Sequence, residues 1–391
     1  LADLFARRSG SESAAPQRIV FIKLAEQGAT VLAYPALCRA VEMVGAENVH
    51  FVVFEENRFI LDLLDIIPKE NVIAIPTRNF FATAAGLVSG LRRLRRIRAD
   101  AAIDFEFFAR ASAILTYLSG APIRVGLHRH NDPAPYRGDL MSHRIQYDPT
   151  LHTSQAFLLM VEALQGRLQT VPESEQTSAH NEDLCPQFIP AADELGRLTS
   201  KVAEEAGTSQ FSPLVLLNAN ASDLLPLRRW PGDRYVELAC RLLDRFPTMH
   251  AAFCGAPEES LESTKLITAV DSTRCFNLAG KTTLRELLTL YHVADVLVTN
   301  DSGPSHFATM TPIDAVTLFG PETPALFGAR TPRSHILWQG LPCSPCVSAY
   351  NNRFSQCTNN RCMQEISVDE VFGVVSDVIQ ARMSGDRQCL S

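Results

Sequence analysis

With 391 residues, 46% of them hydrophobic and 20% charged, the chain has the length for two cores of ordinary size and the composition of a globular protein. It holds no apolar run near the roughly 20 residues that span a bilayer, which argues against a membrane-crossing helix. A formal net charge of -7 disfavours non-specific duplex binding, which rests on Lys and Arg neutralising phosphates, so no nucleic-acid partner is expected.

Residues 1–16 contain no apolar stretch of signal-peptide length and end in small residues and proline, which predicts a flexible tail on a cytoplasmic protein. RIVFIKLA reads as a buried strand, β-branched and aromatic, running into Gly28 and then a helical pattern through Val41. VHFVVFEE predicts a second strand, followed by a helix near Asn57 to Leu64 and a third strand at NVIAIP. A helix from about Ala82 to Arg98 leads to strand DAAIDFEF, another helix, strand IRVGL and a His/Asp/Pro-rich loop. These segments make a first domain over residues 17–185.

Residues 186–210 lie in a polar stretch without strand pattern and are assigned to the inter-domain connection. The βα rhythm then resumes over residues 211–365. Strand PLVLLNA, a helix near Asp233 to Arg245, strand HAAFCG, a helix near Ser260 to Val270 and strand CFNLAG come first. A helix near Leu284 to His292, strand DVLVTN, a helix at His306 and strand AVTLFG follow. Residues 366–391 are read as a closing helix and tail. Strands alternating with helices imply parallel sheets covered on both faces, so the expectation is an α/β chain of two Rossmann-like, doubly wound domains facing a central cleft.

The strongest site signal is DVLVTNDSGPSHFAT, residues 295–309, where a buried strand ends in a polar, Gly-containing turn that starts a helix. Such a turn presents unpaired backbone N–H groups and a positive dipole end to an anion, which suits a diphosphate at Ser302, Gly303 and Pro304. A helix capped by Asp301 or Ser302 is the plainer alternative.

Here the sequence resembles glycosyltransferase family 9, the heptosyltransferases of lipopolysaccharide assembly. The matching segments are RIVFIKL with Gly28, AAIDF before RVGL, RRWPGDRYVELA, CGAPEE, LAGKTTLREL, and TNDSGPSHFA before AVTLFGPETP. The resemblance implies a GT-B fold with the acceptor on the first domain, residues 17–185, and the donor on the second, inverting transfer, a nucleotide-sugar donor with ADP-heptose as the best-known case, and no catalytic metal. It carries the donor site onto Asn300, Asp301, Ser302, Gly303, Pro304 and His306. Arg229 matches the basic residue that neutralises the leaving diphosphate, with Arg228 beside it; a guanidinium suits that task because it pairs two phosphate oxygens at once. Asn220 and Ser222 follow a strand where the family has a small-residue turn near the phosphates, and Lys281, Thr282 and Thr283 precede a helix near the nucleoside.

Transfer requires a base for the acceptor hydroxyl and stabilisation of the departing diphosphate. The family's first turn has an Asp directly after the Gly, whereas EQGATV has Ala29. Three carboxylates are candidate replacements: Asp104 at a strand end, Glu26 in the first turn, and Glu106 just beyond Asp104. The alternative is a catalytically impaired, nucleotide-sugar-binding or scaffold homologue of the same fold. A dinucleotide oxidoreductase is disfavoured because no G-x-G-x-x-G follows the first strand.

Six of the ten cysteines are scattered, but Cys343, Cys346, Cys357 and Cys362 form a C-x2-C, ten-residue, C-x4-C cluster within residues 343–362. Four thiolates at that spacing in a loop of little apolar content suit a structural Zn or rubredoxin-like Fe; reduced thiols or disulfides are the alternative. Arg92, Arg93, Arg95, Arg96 and Arg98, interleaved with Leu91, Leu94 and Ile97, make a cationic amphipathic helix suited to peripheral contact with the inner membrane or a phosphorylated acceptor. A solvated helix face over a buried stripe explains the same pattern. His128, His130 and His143 fall in a stretch read as an acceptor-side loop. The acceptor class expected is a glycolipid, a lipopolysaccharide core or a protein side chain.

Overall fold

The computed structural model describes residues 15–128, 137–166, 185–221, 225–351 and 353–384. Its first half holds strands β1 (Ile19–Ile22), β2 (Val49–Phe54), β3 (Val72–Ile75), β4 (Ala101–Asp104), β5 (Ile123–His128) and β6 (His143–Gln146). The second holds β7 (Leu214–Asn218), β8 (His250–Phe253), β9 (Cys275–Asn277), β10 (Val296–Asn300), β11 (Asp314–Phe319) and β12 (Ser334–Trp338). The strands pair in parallel in the orders β3-β2-β1-β4-β5-β6 and β12-β11-β10-β7-β8-β9. Counted within each half, both sheets have the same doubly wound order, which reverses between β1 and β4 and between β7 and β10. Ligands bind beyond the carboxyl ends of strands at such reversal points.

The central strands are fully buried and apolar up to their carboxyl ends because helices cover both faces. β1 packs Ile19 and Phe21 to one side and Val20 and Ile22 to the other, all fully buried. Two edge strands lack that signature. HRIQ in β6 and SHILW in β12 are only partly buried, so the first was read within a polar loop and the second was not anticipated.

The segment assigned to the inter-domain connection contains a helix, Ala192–Ala206, whose Leu198 and Val202 are buried in the second half's core with Leu288 and Tyr291. The helical pattern after Gly28 is two helices, Gln27–Leu32 and Tyr34–Val44, with Pro35 at the start of the second.

The halves touch. Phe327 of the second half packs with Phe107 of the first, ring centroids 6.2 Å apart, and His152 Nε2 lies 3.0 Å from Gly328 O. Val31 and Ile60 of the first half join the second half's cluster. No helix among the described residues is long and apolar enough to cross a membrane.

Candidate active site

The carboxyl ends of β1, β7 and β10 converge on a cavity of about 570 Å³ lined by both halves. The first half supplies the turn from Ala25 to Ala29, and the second supplies Arg228, Asp301 to Pro304, His306, Glu322 and Arg353. The halves approach tightly at Gly28: a Cβ there would stand 2.5 Å from Cδ2 of His306. This glycine lets the helix Gln27–Leu32 lie against the helix Gly303–Ala308.

The polar turn after β10 follows the sequence expectation closely. Ser302 is the N-cap of Gly303–Ala308, yet its hydroxyl donates to Asn300 O at 3.1 Å and makes no cap hydrogen bond. Asp301 and His306 are buried. Burial, with the Arg228 charge adding, lowers the His306 imidazole to about 4, so it is neutral at physiological pH.

Charges alternate across the cavity. Arg228 bonds Glu322 at 2.7 Å, lies 3.5 Å from Asp301 Oδ2 and donates to Asp301 O at 3.2 Å. Arg353 pairs with Glu26 and stands 3.8 Å from Glu322. Lys23, wholly buried, bridges Glu26 and Glu106 at 3.1 Å each. Burial raises the Asp301 and Glu322 carboxyls above their ordinary values, opposed in each case by Arg228; for Glu322 the Asp301 charge adds to the rise. Arg228 is held above the ordinary guanidinium value: burial acts to lower it, but the two carboxylates outweigh that. Asn220 Nδ2, Arg228 Nε, Asp301 Oδ2, His306 Nδ1 and Glu322 Oε1 are buried without a hydrogen-bond partner.

A second cavity of about 420 Å³ adjoins the first across Ser302, Gly303 and Pro304 and is lined by Asn220, Thr282 and Thr283. Thr283 also caps the helix Leu284–Val293 by accepting from Glu286 N. Ser222 lies outside the described residues, as does His130. His128 and His143 end β5 and start β6.

Four expectations for the site are corrected. Asp104, taken as the leading base candidate, does not line the cavity. It is fully buried, pairs with the buried Arg137, accepts from Ser112 Oγ at 2.9 Å and caps the turn at Glu106 N. Arg229, placed ahead of Arg228, turns away and donates to Ala221 O at 2.8 and 3.2 Å, while Arg228 faces the cavity. Asn300 is fully buried and ties the turns together, accepting from Trp230 N at 3.0 Å and donating to Asn220 O at 3.1 Å. Lys281 points at Glu205 on the helix Ala192–Ala206.

Glu26 lines the cavity as expected, with a left-handed backbone, φ 71°. Such a conformation is sparsely populated for a side chain with a Cβ and clusters at functional sites. Glu106 does not line it; it accepts from Leu24 N and Ala25 N at 2.7 and 3.1 Å and thereby shapes the first turn.

The cysteine loop is packed beside this cavity, its Cys362 buried and its Ser344 hydroxyl bonded to Gly320 O. All four of its thiols are free. Burial raises the Cys362 thiol to about 11, with Cys346, Cys357 and Cys343 each adding to the rise. Among the described residues, however, no three His, Cys, Asp or Glu side chains form a group able to hold a metal ion, so the expected four-thiolate shell is not assembled in this structure.

A family model, glycosyltransferase family 9 (heptosyltransferase), matches residues 88–355, more than half of the chain. The chain belongs to glycosyltransferase family 9. This family 9 chain is 27% identical over 222 residues to lipopolysaccharide heptosyltransferase 2 of Escherichia coli strain K12, a match covering 54% of this chain and 58% of the relative. It therefore spans less than two thirds of that relative's length.

Among solved structures, the E. coli ADP-heptose LPS heptosyltransferase II superposes with a TM-score of 0.70 at 18% identity, covering 94% of this chain and 99% of that one. Its likeness, with the two doubly wound sheets, identifies the fold as GT-B. The dodecameric iron-containing heptosyltransferase TibC, in complex with ADP-D-beta-D-heptose, superposes at 0.54 with 11% identity, covering 94% of this chain and 77% of that one.

Proposed function

We propose that this chain is an inverting glycosyltransferase that moves heptose from ADP-heptose onto a lipopolysaccharide core. One observation carries the reading: the polar turn after β10 sets Ser302, Gly303 and Pro304 beside Arg228 and the buried Asp301, His306 and Glu322 where the second half meets the first, next to the cavity lined by Asn220, Thr282 and Thr283. They suit a diphosphate at Arg228 and Ser302 to Pro304, with the nucleoside toward Thr282 and Thr283. Family membership and the heptosyltransferase relative support heptose as the sugar.

In this reading Glu26 is the base in place of the family Asp that Ala29 has replaced. Its carboxylate takes the proton of the acceptor hydroxyl as that oxygen bonds to the anomeric carbon. The bond from that carbon to the diphosphate oxygen breaks, and ADP leaves with the electron pair. Arg228 neutralises the charge that develops, in a site where burial strengthens the interaction. His306, neutral, serves as a hydrogen-bonding group and carries no positive charge.

The test is transfer by purified protein from ADP-heptose to a heptose-deficient lipopolysaccharide core, with GDP- and UDP-sugars as controls. Turnover should follow ADP-heptose, and Glu26→Gln should lower kcat by about 10²–10⁴ with donor affinity kept. Donor binding without turnover on any acceptor would instead support the impaired, scaffold-type homologue.

The four-cysteine loop is proposed to hold a structural Zn or Fe. The donor set fits by type: four thiols outside any disulfide, one of which, Cys362, is held protonated by burial and its cysteine neighbours and would be deprotonated on binding a cation, and the likeness to iron-containing TibC points the same way. Cys343, Cys346, Cys357 and Cys362 would be its ligands, leaving no open position for substrate. Elemental analysis of purified protein should find about one metal per chain, and a chelator should lower the thermal midpoint. Metal-free protein of unchanged stability would sink the assignment.

We also propose that the chain works on the cytoplasmic face of the inner membrane. Phe80, Phe81, Leu87, Val88, Ile114 and Tyr117 are six of the eleven exposed large hydrophobics among the described residues, and all lie on helices Phe80–Ile97 and Arg110–Leu118. Arg95 joins these helices by donating to Leu118 O at 2.9 Å. Seven arginines fall between residues 78 and 110, in a chain whose net charge is -7. Leu94 is buried and Leu91 and Ile97 are partly buried, so the membrane face is the aromatic end and the exposed arginines, not the inward Leu/Ile stripe. Sedimentation with anionic vesicles should fall for Phe80→Ser/Phe81→Ser while donor binding stays; unaltered sedimentation would refute this face.

A further inference from the structure

We infer that the four-cysteine loop delivers a positioning residue, Arg353, that holds the Glu26 carboxylate for reaction; this rests on Glu26 being the base. Arg353 lies between the two cysteine pairs, with a left-handed backbone, φ 58°. Its turn is built locally: Arg353 N donates to Ser348 O at 2.9 Å, and Asn351 Nδ2 donates to Cys346 O at 2.8 Å.

The loop belongs to the second half but is anchored on the first. The Tyr350 ring stacks on Phe108, centroids 6.1 Å apart, and meets Tyr147 edge-on at 5.1 Å. Three residues later the Arg353 guanidinium enters the cavity, pairs with Glu26 Oε1, faces Glu322 Oε1 at 3.8 Å and lies 5.6 Å from the Phe327 ring centroid. Lys23 binds the other Glu26 oxygen, Oε2, at 3.1 Å. An ionised carboxylate offers about four lone-pair sites. With one cation on each oxygen its orientation is set, and lone pairs remain for an acceptor hydroxyl.

Lys23 alone leaves the carboxylate free to rotate about its last bond; Arg353 removes that freedom. A base misplaced by about 1 Å loses on the order of 10²-fold in rate. Arg353 therefore acts on turnover through Glu26, whereas donor affinity belongs to Arg228 and the turn after β10.

The experiment is steady-state kinetics with ADP-heptose on Glu26→Gln, Arg353→Gln, Arg353→Lys and the Glu26→Gln/Arg353→Gln double variant, each with its thermal melt. Arg353→Gln should lower kcat by about 30- to 100-fold with donor KM changed less than about threefold. Arg353→Lys should recover part of the loss, and the double variant should be no slower than Glu26→Gln alone. A raised donor KM at unchanged kcat would make Arg353 a donor ligand and overturn the inference, as would multiplied losses in the double variant. Equal loss in Gln and Lys variants with matching drops in melting temperature would reduce Arg353 to a structural part. Full activity in Arg353→Gln with Glu26→Gln inactive sinks this inference alone; full activity in Glu26→Gln sinks the base reading and this inference together.

Discussion

Replacing Asp104 with alanine is expected to destabilise the first half by about 3–5 kcal/mol, the cost of leaving a buried charge without its counter-ion. The stranded group is Arg137, whose side chain is 2% exposed and whose Nη1 donates to the carbonyls of Glu106, Phe107 and Leu127 at 3.1, 3.0 and 3.4 Å. One guanidinium thus binds the ends of β4 and β5 and the turn between β4 and the helix Arg110–Leu118. Burial already lowers Arg137 to about 10, and without Asp104 nothing acidic offsets that burial among the contacts described. The measurement is a urea midpoint paired with turnover well below the melting range. Loss of stability with activity kept in the folded fraction fits the structure; an unchanged midpoint with abolished turnover would return Asp104 to the chemistry.

Arg228→Gln is expected to weaken donor binding and turnover together, by about 10²–10³ in kcat/KM. Arg228 is the cation that two buried carboxylates, Asp301 and Glu322, hold at the mouth of the turn after β10. Glu322 adds a pH dependence whose sign can be worked out. Its carboxyl is pushed up to about 7, so below that pH it is largely neutral and leaves Arg228 to an incoming diphosphate. Above it the carboxylate is ionised, competes for Arg228 and repels the phosphates. Donor affinity should therefore fall as pH rises through about 7, and Glu322→Gln should flatten that limb. Calorimetry across pH 6 to about 9 measures it; affinity that is flat in the unsubstituted protein contradicts the assignment.

Much of the architecture was readable because the central strands are buried on both faces: β1 is wholly apolar, and β4, β7 and β10 are apolar up to the polar residues at their carboxyl ends. The failures share one cause. β6, β12 and the helix Ala192–Ala206 bury only one side, so polar residues dilute their pattern to that of a loop. In the site, Asp301 to Pro304 and His306 stand out from a local motif and line the cavity, and their part in donor binding is proposed. Arg228 ends a short 3-10 turn and Arg229 follows it with an extended backbone, and one-dimensional order does not say which of the two faces the cavity.

Asp104 was misassigned because a carboxylate at a strand end reads alike whether it meets the cleft or a buried arginine 33 positions later. Glu322 was overlooked although it stands just past β11, where the strand-end rule would have flagged it. Arg353 carried no local signal; its partner Glu26 is 327 residues away.

If the chain turns over ADP-heptose as proposed, the alternating charges between Glu26 and Asp301 also bear on how quickly the spent nucleotide departs. A cavity that met a diphosphate with bare arginines would grip the product as tightly as the donor. In this one, Glu322 and Asp301 sit within reach of Arg228 at 2.7 and 3.5 Å and act as tethered anions that reclaim it the moment a phosphate loosens. Dissociation is then an exchange of one anion for another, without a step in which a buried cation stands unpaired. In the proposed reaction the same carboxylates that weaken the first encounter with the donor would shorten the residence of the nucleotide.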